Sequence, residues 1–85
     1  MPEIKWDILK SERLKKVRGV SFEEILKAKL IEVKRHSKRT HQNIMLFWHQ
    51  GYVWVVPYVR DGEDLFLKTL YPSRKYTKLY KQGER

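Results

Sequence analysis

Between Leu67 and Tyr80 the chain reads Leu-Lys-Thr-Leu-Tyr-Pro-Ser-Arg-Lys-Tyr-Thr-Lys-Leu-Tyr, which sets Lys68, Arg74, Lys75 and Lys78 among Tyr71, Tyr76 and Tyr80. A guanidinium offers a planar fork that fits phosphate oxygens, and an ammonium offers a compact point charge. A phenol ring can stack on a base or donate its proton. RNA presents the complementary groups, phosphates for the cations and bases for the rings. Acid–base chemistry near neutrality falls to His36, His41 and His49, because histidine alone titrates there unperturbed. His36, with Arg35 beside it, stands where a strand gives way to a basic loop and is the candidate acid–base group. His41 reads as a solvated loop residue and His49 as a hairpin-tip residue. The spacings between the three match no standard zinc pattern, cysteine is absent, and no metal or cofactor is expected. The chain has no glycine-rich phosphate loop and no Ser-His-Asp or Cys-His arrangement. Its Glu23 and Glu24 are accounted for by a helix start, so a carboxylate-based hydrolase is not expected.

The charge balance points the same way. Nineteen Lys and Arg against ten Asp and Glu give a formal charge of +9. That excess implies an anionic partner: nucleic acid, an acidic protein or a membrane surface. The cations cluster. Residues 34–41 hold Lys34, Arg35, Lys38 and Arg39 with two histidines and no acid, and residues 73–81 hold Arg74, Lys75, Lys78 and Lys81, again with no acid. The longest apolar runs fall well short of the roughly 20 residues a bilayer span requires, and no signal peptide is visible. A cytosolic protein without membrane association is the expectation. Eighty-five residues imply one domain, 1–85, that buries roughly 60–65% of its unfolded surface.

Elements that could position these groups follow from local chemistry. Asp7 is a good N-cap and Gly19 a natural C-terminal stop, so Ile8 to Arg18 reads as a helix with Ile8, Leu9, Leu14 and Val17 as its apolar positions. Ser21 with Glu24 makes a capping box for a second helix, about Phe22 to Lys29, whose Phe22, Ile25, Leu26 and Leu30 face inward. The period then changes. Leu30 to His36 is a candidate first strand, 37–42 a polar loop, and Asn43–Gln50 and Tyr52–Arg60 strands joined by a Gln50-Gly51 hairpin. A turn at 61–64 leads to a strand from Leu65 to Tyr71, with Leu65, Leu67, Thr69 and Tyr71 on one face and Phe66, Lys68 and Leu70 on the other. Tyr52, Trp54, Val56 and Tyr58 alternate with Val53, Val55, Pro57 and Val59, so both faces of that strand are apolar and it should lie centrally. Pro57 should sit where no ladder donor is needed. A short helix begins near Ser73, with Tyr76 and Tyr80 on one side. The expected fold is α+β: two N-terminal helices on a three- to four-stranded antiparallel sheet with a short C-terminal helix, the helices gathered on one face.

Several of these stretches resemble the BrnT-type toxins of bacterial type II toxin–antitoxin modules. They are Trp6-Asp7 with Lys10, Gly19-Val20-Ser21-Phe22-Glu23-Glu24, the aromatic-aliphatic strand pair, and Pro72-Ser73-Arg74-Lys75-Tyr76-Thr77 followed by Tyr80. The order and spacing agree across most of the chain. Relative to the family pattern, Arg18 stands where a histidine often precedes the corner glycine. Tyr76 stands where a small residue is usual, and Lys78 lies in a helix that more often carries a glutamate. The resemblance implies a compact RelE/ParE-like fold and a ribonuclease that inhibits translation. It also implies a cognate antitoxin, expected to be ribbon-helix-helix-like, and operator DNA bound only through the toxin–antitoxin complex.

Metal-independent RNA cleavage needs an activated 2′-hydroxyl, a stabilised phosphate and a proton for the leaving oxygen. On that reading Arg74 stabilises the phosphate, with Lys68 beside it on the strand that enters the helix. His36 contributes acid–base chemistry, and Tyr80 stacks on a base or donates a proton. Arg35, Lys38, Arg39, Lys75 and Lys78 follow the RNA backbone. The alternative is a non-catalytic basic nucleic-acid-binding module or an inactive toxin homologue.

Overall fold

The computed structural model describes residues 3–35 and 43–82. The first helix, α1, spans Ile8–Arg18, with the Asp7 carboxylate accepting from the Leu9 and Lys10 amides. It stops at Gly19, whose φ of 82° is a left-handed conformation that glycine adopts without a Cβ penalty. Val20 is buried in the corner. Helix α2, Phe22–Ile25, starts at the Ser21–Glu24 capping box and is a single turn, shorter than the sequence implies.

Six strands follow the chain as β1 Ile4–Lys5, β2 Lys29–Arg35, β3 Asn43–His49, β4 Tyr52–Asp61, β5 Asp64–Leu67 and β6 Tyr71–Pro72, before helix α3, Arg74–Gln82. They form one sheet in the order β1-β5-β4-β3-β2, with β6 also on β4. The expected three- to four-stranded antiparallel sheet is therefore too small and too uniform. Strand β1 pairs in parallel with β5, Ile4 opposite Leu65, which makes the sheet mixed. Two residues paired across some sixty positions leave no periodic trace in the sequence.

The β3–β4 hairpin turns on Gln50 and Gly51, at φ of 55° and 76°. Both central residues are left-handed, as the two-residue turn that matches strand twist demands. Strand β4 is the spine. Trp54, Val56 and Tyr58 on one face join Leu14, Phe22, Ile25, Met45, Phe47, Leu67 and Leu70 in a core beneath α1 and α2. Val53 and Val55 on the other face join Ile44 and Leu46 under Tyr76 and Tyr80 of α3. The helices thus cover both faces of the sheet rather than gathering on one. The doubly apolar β4 carried that information.

Pro57 is fully inside this spine. Its carbonyl accepts from the Lys68 amide at 2.8 Å. In an antiparallel strand one residue's N–H and C=O point the same way, so the donor Pro57 lacks would also face the β5 side. That is where pairing lapses between Leu67 and Tyr71, and the ladder to β3 loses nothing. The lapse also breaks the expected alternation of 65–71: Leu70 enters the α1–α2 core, whereas Tyr71 packs on the α3 side.

Helix α1 departs most from expectation. Ile8, Leu9 and Val17 are 65%, 74% and 71% exposed, and only Ser11 and Leu14 are buried. The Ser11 hydroxyl donates to a Glu23 carboxylate oxygen at 2.6 Å and accepts from the Phe22 amide at 3.0 Å. Glu23 also accepts from the Trp6 indole at 3.2 Å. A polar knot, not an apolar stripe, docks α1 on α2. The Ser11 hydroxyl, then a backbone amide, hold the Glu23 carboxyl below its usual range. Leu30, expected inside, is 49% exposed on the edge strand.

Candidate functional site

Helix α3 carries the dense cationic motif, and four hydrogen bonds, two of them to Val53, fix its start. The Ser73 amide donates to the Val53 carbonyl at 2.9 Å. The Ser73 hydroxyl caps the helix by accepting from the Tyr76 amide at 3.1 Å. The Thr77 hydroxyl donates to the Ser73 carbonyl at 2.6 Å and accepts from the Val53 amide at 2.8 Å. Ser73 and Thr77 are therefore structural members of the Ser-Arg-Lys-x-Thr motif. They seat the helix on β4 and leave the other α3 side chains to meet solvent or the sheet.

Those residues divide by face. Arg74, Lys75 and Lys78 are exposed, whereas Tyr76 and Tyr80 are half-buried against Ile44, Leu46, Val53 and Val55. The two rings lie 6.5 Å apart. The Tyr80 hydroxyl donates to Glu32 of β2. Burial first, then the Glu32 carboxylate, push the Tyr80 phenol up to about 12. At neutral pH it is a protonated donor already engaged by an acid.

The lysine that the sheet brings against this helix is Lys34. Its Nζ lies 5.3 Å from the Tyr76 ring centre, and Lys75 Nζ lies 5.8 Å from the same centre. Lys68 sits elsewhere, its Nζ 5.9 Å from the Phe66 ring. Lys68 is fastened opposite Pro57, and the start of α3 is fastened on Val53. Those anchors are four residues apart along β4, about 13 Å at the rise of a strand. Lys68 and Arg74 are thus rooted well apart.

The other sequence candidates scatter. Arg35 is exposed and, by its register opposite Asn43, shares the α1–α2 face with Val33 and Met45. His49, opposite Tyr52 at the hairpin, lies on that same face with its ring 6.4 Å from Trp54. His36, Lys38, Arg39 and His41 lie outside the described residues. Sequence reading named Lys34 only among the clustered cations and gave Glu32 no role. Each sits at an alternate position of an edge strand, and only the placement of α3 reveals that both face it.

Among the described residues, no helix is long and apolar enough to cross a membrane. No model of a known protein family matches the chain, and no curated protein matches it significantly in sequence. The likeness is in structure. The match is the crystal structure of the Brucella abortus ribonuclease toxin BrnT, with a TM-score of 0.56 and 18% identity over 86% of this chain and 97% of that one. The expected resemblance is therefore met at the level of the fold.

Proposed function

We propose that this chain is the toxin of a type II toxin–antitoxin module, a metal-independent endoribonuclease that cleaves RNA, inhibits translation and is held in check by a cognate antitoxin. The observation that carries the reading is the pinning of α3: a fold shared with a ribonuclease toxin presents Arg74, Lys75 and Lys78 to solvent from a helix locked to the central strand. Arg74 grips the scissile phosphate with its forked donors. Lys75, Lys78 and Lys68 extend the cationic surface along the substrate, and Arg35, Lys38 and Arg39 take more distant backbone. His36 supplies acid–base chemistry, and Tyr80 supplies a base platform or a proton. On the same reading the fold is a compact version of the RelE/ParE toxin fold. The antitoxin, a ribbon-helix-helix-like protein, covers the cationic surface with acidic and apolar side chains and carries the complex to operator DNA.

Expression should arrest growth and fragment cellular RNA within a brief induction, and Arg74→Ala should restore both growth and intact RNA. Intact RNA in arrested cells would contradict the nuclease assignment. A binding-only reading draws on one observation, the engagement of the Tyr80 proton by Glu32. On that alternative, Arg74→Ala weakens RNA binding and no variant changes RNA integrity.

A further inference from the structure

We propose that Lys34 and Lys75, set around the ring of Tyr76, form a phosphate clamp that holds a single RNA strand over the junction of β2 and α3. The clamp rests on the RNA-directed reading above and adds to it a site and a residue, Lys34, on the sheet.

The arrangement is built from both sides. Tyr76 is held by the α3 anchors and packs on the Ile44–Val55 cluster, so its ring is a fixed platform. Lys34 comes from β2 at 5.3 Å and Lys75 from the helix at 5.8 Å. The ring's electron-rich face attracts each ammonium. Two like charges around one ring repel each other, and that repulsion falls when an anion lies between them. Among the described residues, the salt bridges are Lys5 with Asp64 and Lys15 with Glu24, so neither clamp lysine is neutralised by such a pair. Glu32, two residues from Lys34 on the same strand, accepts the Tyr80 hydroxyl. The groups gathered here, two cations set about one aromatic ring, are the kinds that single-strand sites use for phosphates and bases. Single-stranded RNA is favoured over a duplex because a splayed strand exposes its bases beside its phosphates.

The test is fluorescence anisotropy of a short 2′-O-methyl RNA, which cannot be cleaved through its 2′-oxygen, titrated with the full chain across a salt series. Lys34→Ala and Lys75→Ala should each weaken binding and lower the slope of log affinity against log salt by about 0.7, the value for one phosphate contact on a single strand. Lys34→Arg should keep the wild-type slope, which separates lost charge from lost fold. Lys10→Ala, on the exposed side of α1, should change nothing. A Lys34→Ala protein that binds with wild-type affinity and slope would overturn the clamp. Cleavage of ordinary RNA is scored separately. Loss of the slope with ordinary RNA left intact supports the clamp and defeats the nuclease reading. Cleavage with an unaltered slope does the reverse.

Discussion

At the scale of single residues, Ser11 and Tyr80 carry the clearest expectations. Ser11 is the buried polar group of α1, and its hydroxyl is the partner of the Phe22 amide. Ser11→Ala should cost about 1–3 kcal/mol in denaturant unfolding, because it strands that amide. Leu9→Ala, on a side chain 74% exposed, should move stability much less. The Tyr80 phenol is raised from 10.0 to about 12 in the folded protein. A group with a raised folded value contributes stability that is fully present below its unfolded value and is lost as pH rises through the folded one. Melting temperature should therefore fall between about pH 10 and 12, and Tyr80→Phe should flatten that fall. Ultraviolet titration should show one tyrosine ionising late, and Tyr80→Phe should remove it. The Ser11–Glu23–Trp6 knot was hidden from the sequence, because Ile8, Leu9 and Val17 imitate an apolar face there. The Ser21–Glu24 box was legible, since each of its partners lies within one helical turn.

At the scale of elements, α3 is the piece on which the proposed function turns, and Thr77 is its tie to the sheet. Thr77→Val keeps the side-chain volume but removes the acceptor of the Val53 amide. Hydrogen exchange should then lose protection in α3 while α1 keeps its own, and RNA binding should weaken with no change of charge. Thr77→Ser should restore both, because the hydroxyl returns. A Thr77→Val protein with wild-type protection would show that the cap at Ser73 suffices. The elements themselves were largely readable. The bounds of α1, the Gln50-Gly51 hairpin and the two-faced β4 follow from caps, turn residues and alternation within a few positions. What was not readable depends on distant partners. Strand β1 exists only because Leu65 and Phe66 accept it, and the lapse at 68–70 follows from where Pro57 falls in the ladder. The candidate site was legible to the same degree. Arg74, Lys75 and Lys78 declared themselves through local density, whereas Lys34 needed the helix laid across β2 before its place was visible.

At the scale of the whole molecule, a charge of +9 on 85 residues should make the proposed RNA association strongly salt-dependent whatever chemistry follows. On the proposed reading an antitoxin should suppress cleavage most if it covers α3, and a partner seated on the α1–α2 face alone would leave that helix open. The central claim is that this fold uses the start of α3 to stabilise the charge of a cleaving phosphodiester. The most direct measurement is single-turnover cleavage of a labelled RNA by purified protein in excess EDTA, at protein concentrations that saturate the substrate. The wild type should cut the RNA, and Arg74→Ala should bind it yet cut about a hundredfold more slowly, the cost of losing one transition-state donor. Saturated RNA left whole by the wild type, or an Arg74→Ala protein that cuts at the wild-type rate, would contradict it.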